Sequence, residues 1–151
     1  MLTLESPGQL KDFTGQELGV TDWVAIPQER IDQFAAATGD RQWIHVDVER
    51  AQRESPYGAT VAHGFLTLSL LTQFIAQTFG IRGLKMGVNY GLNRVRFPAP
   101  VRAGSKVRGR VELQSVRAFE GGAEPTFLVT VECDGAEKPC CVAEWVVRYY
   151  E

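Results

Sequence analysis

The chain has 151 residues, a length that suits a single domain with a substantial buried core. Its 16 Lys and Arg residues and 18 Asp and Glu residues give a net charge of −2 without a block of like charge, which argues against nucleic acid or a membrane surface as a partner. The first residues, MLTLESPGQLKDF, lack a basic segment before an apolar core, so we expect a cytoplasmic protein.

The amino-terminal part of the chain is polar and interrupted by glycine, and we expect little regular structure before Thr21. Residues 22–26 (DWVAI) predict a short strand that Pro27 stops. Residues 27–38 predict a helix that ends at Gly39, because a proline suits its first turn and apolar residues recur at helical spacing. Two further segments are predicted as a loop, 40–48, and as a short helix or surface loop, 49–58.

The most apolar stretch, residues 59–81, contains no Lys, Arg, Asp or Glu. Within it, residues 64–79 predict one long helix of about 24 Å, which is shorter than a hydrocarbon layer of about 30 Å. Polar side chains such as Thr67 and Gln73 would each need a hydrogen-bond partner in lipid. We therefore expect a helix in the protein core, apolar nearly all round.

The remainder of the chain alternates between apolar and polar residues, which predicts strands. Short turns between them favour antiparallel pairing, with Gly87 and Gly91 as possible bulges. A sheet with one face to bury and one apolar helix predict an α+β domain, residues 1–151, in which the curled sheet wraps around the helix. Because such a sheet leaves edges exposed, we expect a homodimer. The predicted strands are 85–97, 106–119, 126–134 and 139–150.

Cysteine and histidine usage predicts neither a disulfide framework nor a metal site. Cys133, Cys140 and Cys141 are odd in number and lack CxxC spacing, so we expect reduced apolar side chains in strands. The only two histidines, His45 and His63, lie 18 positions apart, which excludes a two-histidine metal motif on one helix.

Asp40 and His45 are candidates for acid–base chemistry, since they stand five positions apart on the loop predicted between two helices. Histidine exchanges protons near neutral pH, and a nearby carboxylate can accept a proton from water or hold the imidazole in one tautomer. The alternative is a carboxylate that ends a helix and a histidine on the surface. No nucleophile elbow, P-loop or dinucleotide fingerprint appears, which argues against covalent and nucleotide-driven chemistry.

The start of the central helix is a second candidate, because amides there are unpaired and can hold an oxygen that gains negative charge. Gly64 would let a ligand approach these amides closely. We expect His63 to bond to the main chain and shape the helix start, with substrate contact as its alternative. Thr72 shares a face with Ser69 and is a candidate for the wall of the site, and Asp47 is predicted to cap the segment after it.

Three segments together resemble the MaoC-like family of (R)-specific enoyl-CoA hydratases, in particular the bacterial branch related to nodulation protein N. They are ATGDRQWIHVD at 37–47, AHGFLTLSLL at 62–71 and YGLNRVRFPAPVRAGSKV at 90–107. The resemblance covers nearly the whole chain and implies the hot-dog fold, a curled antiparallel sheet around a long helix. It differs at Gln42 and Trp43, where the commoner family loop carries Asn-Pro.

The resemblance implies hydration of a trans-2-enoyl-CoA to the (R)-3-hydroxyacyl-CoA without a metal or redox cofactor. It places the catalytic carboxylate on Asp40, the catalytic imidazole on His45 and the oxyanion-hole amide on Gly64, and a hydroxyl that lines the site on Thr72. Which catalytic group is the base and which the acid stays open, because close titrating groups share their protons.

The binding of the CoA and acyl parts is the least defined. We expect the acyl chain to run along the core helix under Trp43, while basic side chains are candidates to meet the CoA phosphates, with a solvated charge as the alternative for each. These candidates are Lys85, Arg94, Arg96, Arg102 and Lys106.

Three other functions fit the same residues. A hot-dog acyl-CoA thioesterase would release free CoA from a saturated acyl-CoA, and a dehydratase of branched or hydroxylated acyl-CoA would run the hydration in reverse. A non-catalytic acyl-CoA-binding subunit would bind substrate without turnover, although it would have no need of both Asp40 and His45.

Overall fold

A computed structural model describes residues 1–151 as an α+β domain. Eight strands and five helices follow one another along the chain, together with a 3₁₀ helix at Pro7–Phe13. The strands are β1 (Leu2–Leu4), β2 (Glu17–Val20), β3 (Val24–Ala25), β4 (Phe79–Ile81), β5 (Met86–Arg96), β6 (Lys106–Phe119), β7 (Gly122–Cys133) and β8 (Cys141–Tyr150). The helices are α1 (Gln28–Thr38), α2 (Trp43–Val46), α3 (Val48–Glu54), α4 (Gly64–Ser69) and α5 (Leu71–Ile75).

The main sheet is antiparallel and has the order β2-β6-β7-β8-β5, with β3 also paired to β6. Strands β5, β6 and β8 were predicted within two residues of their observed bounds, whereas β7 begins at Gly122, four residues before its predicted start, because residues 122–125 pair with β6 instead of forming the predicted turn. Strand β5 does not pair with its successor β6. It pairs with β8 at the far edge. A two-residue turn joins β6 to β7 and the connection 134–140 joins β7 to β8, which fixes the order β6-β7-β8. Since β2 and β3 pair with the other side of β6, the free edge of β8 is the one available to β5.

The two glycines of β5 have different roles. The register shifts between Asn89 and Gly91, so a bulge lies at Gly91 as predicted. Gly87 pairs regularly with Tyr149, and a Cβ there would lie 2.9 Å from the tyrosine ring. The prediction of a bulge at Gly87 was therefore wrong, and this glycine permits a close approach instead.

The central apolar stretch is helical but is not one helix. Leu70 separates α4 from α5, and its N–H donates to Thr67 at 3.1 Å across a three-residue turn. The Ser69 hydroxyl also donates to a main-chain carbonyl, that of Leu66, at 2.6 Å, a bond that competes with regular helical pairing. Helical structure also ends before Phe79, which begins β4. None of these helices is long and apolar enough to cross a lipid bilayer.

The core lies between these helices and the inner face of the sheet. Phe74 of α5 is fully buried and packs over Gly109 of β6. A Cβ at Gly109 would lie 2.7 Å from the Phe74 ring. Alternate residues of β6, β7 and β8 face this core, which confirms the predicted wrapping of the sheet around the helical segment.

The first 20 residues contain more regular structure than predicted. The strand β1 pairs in parallel with β4, and β2 pairs with β6. Leu4 and Leu10 are buried in the core. The predicted strand 22–26 is reduced to the two residues of β3. These strands depend on partners distant in sequence, which local composition does not reveal.

Candidate active site

Asp40 lies directly after the end of α1. Gly39 adopts a left-handed conformation (φ 81°) and its N–H donates to Ala35 at 2.9 Å, which ends the helix as predicted. The carboxylate of Asp40 accepts a long hydrogen bond, 3.4 Å, from the N–H of Gln42 and is exposed to solvent. A carboxylate in this position can meet a ligand from outside.

His45 lies on α2, in the segment that was predicted to be a loop. This prediction was wrong because α2 has only four residues, a single helical turn. A segment this short cannot show the repeated spacing of apolar residues by which longer helices are predicted. The side chain is only 7% exposed, and Nδ1 lies 2.7 Å from the carbonyl oxygen of Val61. Since a carbonyl only accepts, Nδ1 carries the proton, and Nε2 is free to accept one.

His63 completes a compact cluster with these two residues. Its Nε2 lies 2.9 Å from the main-chain oxygen of Asp40, so Nε2 donates, and its ring stacks on that of His45 with centroids 3.8 Å apart and planes at 23°. The predicted hydrogen bond to the main chain is therefore present. One polar side-chain atom from each of Asp40, His45 and His63 lies within 4.8 Å of the other two.

The environment of His45 favours its neutral form. Burial is the main cause and lowers its pKa, and the nearby His63 lowers it further. The hydrogen bond with Val61 and the carboxylate of Asp40 act in the opposite direction. A neutral imidazole near pH 7 can accept a proton from water.

The three side chains have the chemical character of metal ligands, but the rings are poorly arranged for a shared ion. Metal-bound imidazoles direct their in-plane lone pairs at one point. The lone pairs of stacked rings inclined by only 23° lie in separate, nearly parallel planes, so His45 and His63 would have to rotate to share a cation.

Gly64 begins α4 with an available amide. The carbonyl of His63 accepts from the N–H groups of Leu66 and Thr67, at 3.0 and 3.3 Å, and the two preceding amides, those of Gly64 and Phe65, have no acceptor within the chain. A Cβ at Gly64 would lie 3.1 Å from the ring of Phe97, so a side chain at this position would crowd that ring. The amide of Gly64, by contrast, is available to a ligand.

The other predicted site residues are dispersed. The half-buried Trp43 packs under the guanidinium of Arg50, 4.2 Å from its ring centre. Thr72 is exposed and borders two cavities of about 290 and 300 Å³ between the central helices and β5. Arg94 lies on the outer face of the sheet, in a groove with Arg96 and Glu144, away from the face that covers the helices.

Several of the basic candidates already have main-chain partners. Arg102 donates to the carbonyl of Tyr57 at 3.0 Å, and Lys85 to that of Glu151 at 2.9 Å. These bonds hold turns and chain ends together, so a role at the CoA phosphates stays a prediction.

Sequence reasoning missed the residues that hold α2. The Gln28 side chain donates to the carbonyl of His45 at 2.7 Å and accepts from the hydroxyl of Thr60. These contacts span 17 and 32 positions, and no local motif indicates them. Asp47, by contrast, caps α3 as predicted by accepting from the N–H of Arg50 at 3.0 Å.

The three cysteines are free and buried, as predicted. Burial raises the pKa of Cys140 to about 12 and that of Cys141 to about 11. Thiols of this kind are weak nucleophiles, so they contribute packing rather than chemistry.

The fold and site define a hot-dog protein with a carboxylate and an imidazole beside the start of its central helical segment. The family model described as a MaoC like domain matches residues 10–133. The chain therefore belongs to the MaoC-like dehydratase family, whose members include hydratases and dehydratases.

Individual relatives agree with this assignment. The chain is 50% identical over 150 residues to the 3-hydroxyacyl-thioester dehydratase Z of Mycobacterium tuberculosis, covering 99% of both chains. It is 50% identical over 138 residues to Nodulation protein N of Rhizobium leguminosarum bv. viciae, covering 87% of this chain and 83% of that protein. The solved (R)-hydratase from A. caviae involved in PHA biosynthesis shares the fold, with a TM-score of 0.72, 23% identity, and coverage of 89% and 94%.

Proposed function

We propose that the protein catalyses the reversible hydration of a trans-2-enoyl-CoA to the (R)-3-hydroxyacyl-CoA. The observation that carries the proposal is the cluster in which polar atoms of Asp40 and His45 lie within 4.8 Å of each other, on the segment between α1 and α3. The name of the mycobacterial relative, a 3-hydroxyacyl-thioester dehydratase, supports the same reaction read in reverse.

In this mechanism a water molecule lies between Asp40 and His45, and the thioester oxygen accepts a hydrogen bond from the amide of Gly64. The water oxygen bonds to C3, the C2–C3 π bond breaks, and the pair takes one proton from water and delivers one to C2. Charge that builds on the thioester oxygen is stabilised by the fixed N–H more than in the ground state. Hydration transfers no electrons, so it needs no redox cofactor.

The first test is the turnover of crotonyl-CoA, followed as loss of the enoyl-thioester absorbance with chiral analysis of the product. We expect Asp40→Asn and His45→Gln each to reduce turnover by a factor of about 10² or more while the fold is retained. Asp12→Asn, a carboxylate in the 3₁₀ helix, is the control and should behave as wild type. Near-normal turnover in either site variant would contradict the mechanism.

The same assay separates the alternatives. Free CoA released from a saturated acyl-CoA would instead support the thioesterase, and binding of enoyl-CoA without turnover would support the acyl-CoA-binding subunit.

We also propose that the protein is a homodimer joined along β5. This strand pairs only with β8, and its apolar side chains are unusually exposed, for example Tyr90 at 57% and Leu92 at 43%. A long apolar edge strand exposes unpaired main-chain groups that a second copy can cover.

Light scattering coupled to size exclusion tests this assembly. We expect a dimer for the wild type and a shift toward monomer for Leu92→Lys, because a charge would be desolvated in the interface. Val20→Lys, at the opposite edge of the sheet, is the matched control and should leave the mass unchanged. A monomeric wild type would refute the proposal.

A further inference from the structure

His63 is a buried titratable side chain that has no role in the proposed reaction. It is 3% exposed, and its Nδ1 is buried without a hydrogen-bond partner. Burying a polar atom unpaired is costly, so this residue is a poor choice for packing alone. Its remaining contacts must account for its presence.

Two of those contacts lead to the catalytic pair. The Nε2–H donates to the main-chain oxygen of Asp40 at 2.9 Å, across 23 positions of sequence. The ring stacks on His45 at 3.8 Å and also meets Phe34, whose ring centre lies 4.9 Å away. The main chain of His63 also leads directly into Gly64 at the start of α4.

We propose that His63 is a positioning residue, a role that rests on the proposed function: its N–H fixes the main chain at Asp40, and its ring fixes the plane of His45. One side chain thereby sets the distance between the carboxyl and the imidazole that flank the reacting water. Positioning of this kind matters because small displacements of reacting groups cost large factors in rate. In the proposed mechanism His63 itself contacts neither the reacting water nor the substrate.

The stack also has an electrostatic consequence. The titratable groups that act on His45 are His63 and Asp40, and they have opposite effects on its pKa. The acceptor at Val61 is independent of the side chain at position 63, whereas the stacked ring contributes to the burial of His45, which also lowers its pKa. Replacing His63 with an uncharged residue therefore raises the pKa of His45.

Two variants separate the hydrogen bond from the stack. His63→Phe keeps a flat ring against His45 but loses the donor to Asp40, whereas His63→Gln keeps an N–H donor and loses the ring. We expect His63→Phe to lose kcat by about tenfold or more with KM changed less, since a buried acceptor is left unpaired, and His63→Gln to retain more of it. Leu66→Val, a buried change in α4, controls for general loosening and should keep wild-type kcat.

The second readout is the titration of the imidazole C2–H resonance by NMR. The chain has two histidines, so each variant contains a single imidazole resonance, which belongs to His45. We expect its pKa to rise in both variants relative to wild type. Wild-type kcat in His63→Phe, or equal losses in both variants with an unmoved titration, would overturn the proposal.

The titration does not depend on turnover. If the wild-type protein hydrates no enoyl-CoA, the proposed function fails, and the titration alone then decides the positioning of His45. An unmoved resonance in that case refutes the stack as an influence on His45.

Discussion

Replacing Gly64 with proline removes the amide N–H assigned to the thioester oxygen without a conflict in the main chain. His63 has φ −59° and ψ 137°, the extended conformation that the residue before a proline prefers. Position 64 is the first residue of α4, where proline is well tolerated. Its Cβ would lie 3.1 Å from the ring of Phe97, which is 41% exposed and has room to shift. Gly64→Ala adds the same Cβ and keeps the N–H.

The comparison between the two variants therefore measures the loss of the N–H together with the proline Cδ that takes its place, so the factor for the lost donor is the minimum difference expected between them. Loss of one oxyanion donor costs about 10²–10³ in kcat, or about 2.7–4 kcal/mol. We expect Gly64→Pro to be slower than Gly64→Ala by at least this factor in hydration of crotonyl-CoA at saturating substrate. Circular dichroism and thermal melting verify that both variants fold. Equal kcat values in two folded variants would refute the assignment of the Gly64 amide.

Two further predictions concern stability. Gly109→Ala should destabilise the fold by about 1–3 kcal/mol in urea unfolding, because its Cβ would lie 2.7 Å from Phe74. Gly80→Ala is the control and should leave stability unchanged, since a Cβ there has no atom within 4 Å. Equal unfolding midpoints for the two variants would contradict this packing. Lowering the pH from 7.5 to 5.5 should also destabilise the protein, because the pKa of His45 is lower in the folded chain and the unfolded chain therefore binds the proton first. The free energy of unfolding should fall by at most about 1.4 kcal/mol per pH unit for this one proton. In His45→Gln the dependence of unfolding free energy on pH should be weaker over the same range.

The long strands β5, β6 and β8 and the helix α1 could be predicted because their signals are local. The alternation of β6 gave its bounds, 106–119, and the glycine after α1 gave its end. Both depend on the identities of neighbouring residues and on the period of the structure that they form. The position of β5 at the far edge could not be predicted in this way, because it depends on which edges the other strands leave free.

The candidate site shows the same division. The spacing of Asp40 and His45 and the helix start at Gly64 are visible in sequence, and the resemblance to a known family gave them roles. The contact between His45 and His63 is not visible, since 18 positions separate them and only the folded chain stacks their rings. Gln28 is hidden for the same reason, because its two partners lie on other segments.

The burial of the cysteine thiols matters for the chemistry of the proposed substrate. An α,β-unsaturated thioester is an electrophile that adds thiolates at the same carbon that the water attacks. The raised pKa values of Cys140 and Cys141 keep these sulfurs protonated, and their burial in the sheet keeps them from contact with such a reagent. If the protein acts on the proposed substrate, this arrangement protects both thiols from alkylation during the reaction.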